Sequence, residues 1–223
     1  MFLSGIENNR ENLITRKLLC SFNLFLFDVD DTLLRTFQNG FNKINGVADD
    51  CGLSRVSYET YHRWYGCVSF EECLRIWFPD ADIEMLSACY DRQKKKYPYL
   101  PVCDFYSIQE KIERQYGSCG ILTNGKHNPK LFEKLRIAGV DIERLAGIWG
   151  REDLPAPKPD PRAFGTVRKK YPNAKIVYFG DANIDEQMCR EADVFFIQVL
   201  TGKESQIAGV CSLNSVEELI KIL

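Results

Sequence analysis

Several short apolar runs along the chain lack the alternation of polar and apolar residues that is typical of a strand with one solvent-exposed face. They cover residues 24–29, 119–123, 175–180 and 194–199, and a shorter run covers 146–149. Such runs are typical of strands buried on both faces, as in a parallel sheet. Helical patterns lie between them over 107–116, 129–138, 161–171 and 184–192, and a last helix is expected over 216–223. This alternation predicts an α/β fold with a Rossmann-like, doubly wound parallel sheet.

The first two predicted strands of this sheet are unusually far apart. Residues 35–100 separate them, which is too long for one crossover connection. The segment is rich in aromatic and helix-forming residues, as in YETYHRWYG and FEECLRIWF. We therefore expect a helical domain at 35–100, inserted into an α/β core made of residues 22–34 and 101–223. Residues 1–21 are expected to form an N-terminal extension with one short helix.

The composition of the chain limits which binding partners it can have. The chain has 223 residues, 45% of them hydrophobic, and a net charge of −2. That balance gives no electrostatic argument for nucleic acid or an anionic membrane, and no run approaches the ~20 apolar residues of a membrane span. Because the N-terminus has no continuous apolar stretch, we expect a soluble cytoplasmic protein. We expect it to be a monomer or a homodimer. The nine cysteines, an odd number with no Cys-x-x-Cys pair, are expected to be reduced thiols.

Polar clusters occur where three of the predicted strands end and in one later loop. They are Asp28-Val29-Asp30-Asp31-Thr32, Thr123-Asn124-Gly125, Lys158 within PKPDP, and Gly180-Asp181-Ala182-Asn183-Ile184-Asp185. Each alone has an ordinary structural explanation as a turn, a stiff loop or a helix cap. Because the carboxyl ends of parallel strands meet at one edge of the sheet, the four together predict a functional site there.

The residue types in these clusters indicate phosphoryl transfer. Asp28, Asp30, Asp181 and Asp185 supply hard oxygen ligands, which suit Mg²⁺. Lys158 compensates their charge. A threonine and loop amides at 123–125 are suited to hold an oxyanion. A carboxylate nucleophile, a divalent ion, a lysine and an anion cradle together predict an aspartyl-phosphate intermediate.

In these motifs and their order over residues 22–210, the chain resembles the haloacid dehalogenase superfamily. The segment at 35–100 resembles the helical cap of the subfamily that contains phosphoglycolate phosphatase and β-phosphoglucomutase. The resemblance implies a Mg²⁺-dependent phosphatase acting on a small-molecule phosphate ester.

The resemblance also implies individual roles. Asp28 would attack phosphorus, and Asp30 would act as general acid and then as general base. The Asp28 carboxylate, the Asp30 backbone carbonyl, Asp181 and Asp185 would hold the metal. Thr123, Asn124, Gly125 and Lys158 would bind the phosphate oxygens.

The cap segment supplies two candidate substrate contacts. Arg63 and Tyr65 lie in YHRWYGCVS, residues 61–69, which resembles the loop that recognises substrate in capped relatives. The alternative is that the aromatic residues there pack the cap core and Arg63 is solvated. Lys43 is expected to be an exposed helix lysine, His127 a surface residue, and the Thr32 hydroxyl a brace for its turn.

Two other functions remain open from the sequence. A phosphomutase of the β-phosphoglucomutase kind would use the same residues. A phospho-acceptor module resembling response-regulator receivers also uses Asp, Thr and Lys around Mg²⁺. The insertion and Asp30 argue against that module, and Asp30 also argues against dehalogenation, because a halide leaving group needs no acid.

Overall fold

The computed structural model describes residues 14–65, 70–202 and 205–223. The chain divides by its internal contacts into two compact units. Unit 1 comprises the residues through Leu34 together with Leu100–Leu223, and unit 2 comprises Arg35–Tyr99. No helix among the described residues is long and apolar enough to cross a lipid bilayer.

The described strands and helices alternate along most of unit 1, whereas unit 2 is helical. The strands are β1 (Leu24–Phe27), β2 (Leu34–Arg35), β3 (Leu100–Pro101), β4 (Ser118–Leu122), β5 (Ile148–Trp149), β6 (Ile176–Gly180), β7 (Phe195–Val199) and β8 (Cys211–Leu213). The α-helices are α1 (Arg16–Leu19), α2 (Phe37–Cys51), α3 (Tyr58–Trp64), α4 (Phe70–Trp77), α5 (Ile83–Lys96), α6 (Phe105–Gln115), α7 (Pro129–Ile137), α8 (Gly165–Lys170), α9 (Asn183–Glu191) and α10 (Leu219–Ile222). Single turns of 3₁₀-helix cover Ile142–Arg144, Arg151–Asp153, Pro161–Phe164 and Val216–Glu218.

Unit 1 is built on a six-stranded sheet in the order β5-β4-β1-β6-β7-β8. Every pairing in it is parallel. The chain winds outward from β1 through β4 to β5, and then returns to the other side of β1 for β6, β7 and β8. The predicted doubly wound α/β fold is therefore confirmed, with its topological switch point at β1.

The central strand β1 is buried on both faces, which explains its continuous apolar sequence. On one face Phe27 stacks on Phe179 at 4.7 Å between ring centroids and meets Phe105 of α6 edge-on at 4.8 Å. On the other face Leu24 and Leu26 join a cluster that includes Phe164 and side chains of α8 and α9. Helices covering both faces leave only the strand ends for polar chemistry.

Unit 2 contains the helices α2 to α5 around its own apolar core. Tyr61, which is almost fully buried, stacks on Trp77 with ring centroids 5.0 Å apart. The side chain of Asn45 in α2 satisfies both backbone polar groups of Val56. It accepts from Val56 N at 2.9 Å and donates to Val56 O at 3.3 Å. The aromatic-rich sequence of this segment thus packs a core of its own.

The structure corrects two expected elements. The helix expected over 161–171 begins as a 3₁₀ turn at Pro161, and α8 proper starts only at Gly165. Asp160 caps that turn by accepting from Arg162 N, which favours the tighter 3₁₀ geometry. Strand β8 was not expected, because three residues at the sheet edge with a central serine carry too little apolar pattern to detect.

Two expected side-chain environments are also wrong. Lys43 is buried, with 2% of its surface exposed, and its ammonium lies 4.4 Å from the ring centre of Tyr99. The Thr32 hydroxyl is buried and has no hydrogen-bond partner among the described residues. Backbone bonds brace that turn instead, with Asp31 N donating to Leu34 O at 2.7 Å and Leu33 N donating to Val29 O at 2.9 Å.

Candidate active site

The candidate site lies at the carboxyl edge of the sheet, around the switch point at β1. Phe27 at the end of β1 is level with Ile121 of β4 on one side and Phe179 of β6 on the other. Asp28, the next residue, donates its backbone N–H to Phe179 O at 2.9 Å. The polar residues that follow these three strands are therefore brought to one place, as the topology requires.

Three buried carboxylates meet at this edge. One oxygen from each of Asp28, Asp181 and Asp185 lies within 4.8 Å of the other two. Burial raises the pKa of Asp28 to about 6, against the opposing charge of Lys158. Burial, Asp185 and Asp28 together raise the pKa of Asp181 well above its usual range. The cluster thus resists full ionisation unless a positive charge is added.

Lys158 is the buried cation of the cluster. Its Nζ lies 2.6 Å from Asp185 Oδ1 and 3.0 Å from Asp28 Oδ1. Burial alone would lower the pKa of Lys158, but the charges of Asp185 and Asp28 outweigh it and raise that pKa. One ammonium compensates only one of the three carboxylates.

The remaining negative charge fits a divalent cation. Asp28 Oδ1 is buried. Among the described residues it accepts no hydrogen bond of suitable geometry, although Lys158 Nζ lies 3.0 Å away as an ion-pair partner. A Cβ placed at Gly202 would lie 2.0 Å from Asp181 Oδ2. Only glycine at position 202 therefore avoids a clash with the Asp181 carboxylate. Oxygen ligands in small number and a surplus of negative charge are the donor set that Mg²⁺ prefers. The residues present therefore fit the expected metal.

Asp30 lies at the rim of this cluster rather than inside it. Its side chain is 34% exposed, and both carboxylate oxygens accept from Lys134 Nζ of α7, at 2.6 and 2.8 Å. The sequence did not indicate Lys134, because a helix lysine that pairs with a site residue has the same sequence pattern as a solvent-exposed one. The structure adds it to the candidate site as a second cation.

The loop after β4, residues 123–125, makes hydrogen bonds to the Lys158 backbone and within itself. Asn124 Nδ2 donates to Lys158 O at 3.0 Å, and Asn124 Oδ1 accepts from Lys158 N at 2.9 Å. Asn124 therefore clamps the peptide that carries the buried lysine. The Gly125 N–H, expected to be open to phosphate, donates to Thr123 Oγ1 at 3.1 Å.

Tyr178 in β6 lies beneath the site and was not found from the sequence. Its hydroxyl donates to Leu122 O at 2.8 Å, accepts from Lys158 Nζ at 3.0 Å and lies 3.2 Å from Asp185 Oδ1. The residue is fully buried. A tyrosine in the otherwise apolar IVYFG strand was the available signal, since a buried hydroxyl needs partners.

The remaining sequence candidates are divided between the two units of the chain. His127 is exposed, as expected, and its Nδ1 pairs with Asp153 Oδ2. In unit 2, Arg63 is exposed on α3, and Tyr65 is half-buried, with its ring 5.3 Å from that of Phe37. The rest of the expected recognition loop, residues 66–69, lies outside the described residues.

Comparisons with known proteins agree with this architecture. A family model of haloacid dehalogenase-like hydrolases matches residues 25–199. A hydrolase of the haloacid dehalogenase superfamily, subfamily IA, from Geobacter sulfurreducens superimposes with a TM-score of 0.68 at 17% identity, covering 90% of this chain and 96% of that one. No curated protein gives a significant match.

Two further solved structures carry names that mention phosphate chemistry. A predicted phosphoglycolate phosphatase from Haemophilus somnus gives a TM-score of 0.72 at 18% identity, covering 91% of this chain and 98% of that one. CbbY from Rhodobacter sphaeroides, solved in complex with phosphate, gives 0.67 at 15% identity, with coverages of 89% and 96%. At these identities the likeness establishes the shared fold.

Proposed function

Because the chain belongs to the haloacid dehalogenase-like hydrolase family, and is therefore an enzyme, we propose that it is a Mg²⁺-dependent phosphatase of small-molecule phosphate esters. The observation that carries the proposal is the position of Lys158 Nζ, between Asp28 and Asp185, in a cluster that also contains Asp181. A buried carboxylate paired with a lysine, beside two further acids, is the arrangement that transfer through an aspartyl phosphate needs.

Asp28 is the proposed nucleophile. One of its carboxylate oxygens forms a bond to phosphorus while the bond from phosphorus to the ester oxygen breaks. Lys158 neutralises charge on Asp28 and on the transferring group, so that one anion can approach another. The dry apolar frame around β1 strengthens this effect, because charges interact more strongly where water is excluded.

Asp30 is the proposed general acid and base. Its carboxyl group gives a proton to the departing ester oxygen and later takes one from the water that attacks the phosphoaspartate. That second attack breaks the bond between Asp28 and phosphorus, releases inorganic phosphate and restores the carboxylate. The ion pair with Lys134 supports this role by holding both oxygens of Asp30 in one orientation.

Residues of four chain segments are proposed to bind the phosphoryl oxygens and the metal. Thr123, Asn124, Gly125 and Lys158 would bind the oxygens, with Asn124 also fixing the Lys158 peptide. The carboxylates of Asp28, Asp181 and Asp185 and the backbone carbonyl of Asp30 would hold Mg²⁺. When bound, the ion supplies the positive charge that draws negative charge away from the phosphoryl group.

Unit 2 is the proposed cap domain of the enzyme, and Arg63 and Tyr65 remain proposed substrate contacts. Family membership favours catalysis over a phospho-acceptor signalling role. A phosphomutase would use the same residues, so its separation from a phosphatase depends on the product.

The test is Mg²⁺-dependent release of phosphate by the purified full chain. Substrates are p-nitrophenyl phosphate and a panel of sugar, glycolate and nucleotide monophosphates. We expect release that needs both Mg²⁺ and Asp28 and is lost in Asp28→Asn. Asp193→Asn is the matched control, because Asp193 has a left-handed backbone that asparagine tolerates and precedes β7 at the opposite edge of the sheet.

The outcomes separate the alternatives. Transfer of phosphate between positions of a sugar, without net release, would identify a mutase. Failure of every ester, together with no labelling of Asp28 by acetyl phosphate, would overturn the proposal.

A further inference from the structure

Two cysteines of unit 2 lie in contact within the helical core. Cys51 is the last residue of α2, and Cys89 lies in the second turn of α5. Their sulfur atoms are 3.1 Å apart, and both residues are free thiols. A disulfide bond has a sulfur–sulfur distance of about 2.05 Å, so roughly 1 Å of approach separates this pair from a covalent link.

The two helices are already held in register around this pair. Gln93, one turn beyond Cys89, donates to Gly46 O at 3.3 Å and to Asp50 Oδ2 at 2.6 Å. A Cβ at Gly46 would lie 2.4 Å from Gln93 Oε1, so glycine permits the close approach of α2 to α5. The two helices are therefore in contact beside the two sulfurs.

The surroundings give the two sulfurs different chemistry. Arg92 Nη2 donates to Cys89 Sγ at 2.8 Å, and a guanidinium beside a sulfur stabilises negative charge on it. Burial and the bond with Cys89 raise the pKa of Cys51 to about 11, so Cys51 stays a protonated thiol. Cys89 is buried and Cys51 half-buried, so the contact with Arg92 is what favours Cys89 as the attacking sulfur, and Cys51 lies 3.1 Å away, in position to resolve the product.

We propose that Cys51 and Cys89 form a reversible dithiol–disulfide site whose oxidant is a small hydroperoxide. The Cys89 thiolate attacks one peroxide oxygen, which breaks the O–O bond, releases hydroxide and leaves a sulfenic acid. The Cys51 sulfur then displaces the hydroxyl group from Cys89, and its proton leaves with that group as water. Two thiols lose two electrons in total, and hydrogen peroxide is reduced to two molecules of water.

This site is independent of the phosphatase proposal, because it is read from unit 2 alone. It also goes beyond the expectation that the cysteines are reduced thiols. The link would join positions 38 residues apart in sequence, which restricts the unfolded chain and stabilises the folded one. Oxidation should therefore raise the melting temperature of the full chain by several degrees, and dithiothreitol should reverse the rise.

The experiment treats the reduced full chain with hydrogen peroxide, alkylates the remaining thiols under denaturing conditions and maps the peptides by mass spectrometry. We expect a peptide linked through Cys51 and Cys89 to form before any other crosslink. Cys20→Ser is the matched control, since Cys20 is exposed and its loss should leave the link unchanged. A first crosslink at other positions, or full alkylation of Cys51 and Cys89 after Cys20 is oxidised, would overturn the proposal.

Single variants test the assignment of the two sulfurs on the intact fold. Cys51→Ser should trap a sulfenic acid on Cys89 that dimedone labels, whereas Cys89→Ser should leave Cys51 unlabelled. Arg92→Gln should slow crosslinking several-fold, and Arg92→Lys should restore part of the rate; Lys95→Gln, an exposed charge on the same helix, should not change it. Labelling of Cys51 in place of Cys89, or a rate indifferent to Arg92, would contradict the proposed roles.

Discussion

Lys134 donates to both carboxylate oxygens of Asp30, at 2.6 and 2.8 Å, and so fixes the proposed acid and base of the reaction. The contact joins α7 to the turn after β1, and 104 residues separate the two positions in the chain. The partly buried lysine, with 19% of its side chain exposed, is held better than a surface ion pair would be.

Replacing Lys134 by methionine should lower kcat roughly tenfold, because a freely rotating carboxylate spends less time oriented for proton transfer. Lys134→Arg should recover part of the loss, since arginine can also donate to both oxygens. The measurement is kcat and KM on the best ester of the panel. Lys130→Met, an exposed lysine one turn earlier on α7, serves as the control and should retain wild-type rates. Equal losses in both variants would remove Lys134 from the site.

The contrast between Asp30 and its lysine shows where sequence reasoning succeeds and stops. The doubly wound sheet and the gathering of Asp28, Asp181 and Asp185 at one edge of it could be predicted from the apolar runs and from the polar residues that follow them. Lys134 could not be found in this way, because its role depends on which residue faces it across 104 positions. The same holds for Lys43, whose burial depends on which residues the fold brings around it.

Magnesium should stabilise the protein more at pH 7.5 than at pH 5. Burial raises the pKa of Asp28 from 3.8 to about 6 in the metal-free fold, so the folded state holds this proton more tightly than the unfolded state does. The contribution of Asp28 to stability is therefore fully present below about pH 4 and is lost as the pH rises through 6, on the order of 3 kcal/mol. A divalent ion replaces that proton only when the carboxylate is ionised.

The measurement is the melting temperature with and without millimolar MgCl₂ at the two pH values. We expect a shift of several degrees at pH 7.5 and little at pH 5. Asp28→Asn should reduce the pH dependence of this shift, because the neutral amide does not titrate, while Asp181, whose pKa burial also raises, keeps part of it. A shift of the same size at both pH values would contradict the linkage.

Tyr178→Phe should lower the free energy of unfolding by about 1–3 kcal/mol, because it removes the buried hydroxyl that donates to Leu122 O and accepts from Lys158 Nζ. Tyr171→Phe is a matched change, since the Tyr171 hydroxyl also donates to a backbone carbonyl, Ala146 O at 2.8 Å, but in a partly exposed position where water can replace it. Urea unfolding of both variants gives the comparison. If the Tyr171 variant loses as much stability as the Tyr178 variant, the buried network adds nothing of its own.

Gly202→Ala should weaken magnesium binding about tenfold or more, because the new Cβ would lie 2.0 Å from Asp181 Oδ2 and must displace that carboxylate. Gly209→Ala separates this effect from general damage to the connection between β7 and β8. Gly209 has a φ of 76° with nothing within 4 Å of a Cβ, so alanine there strains the backbone by about 1 kcal/mol and touches no ligand. The measurement is the MgCl₂ concentration that gives half of the thermal shift at pH 7.5. It should rise in Gly202→Ala and stay unchanged in Gly209→Ala, whereas the melting temperature without metal should fall in the latter. Unaltered magnesium dependence in Gly202→Ala would place Asp181 outside the metal site.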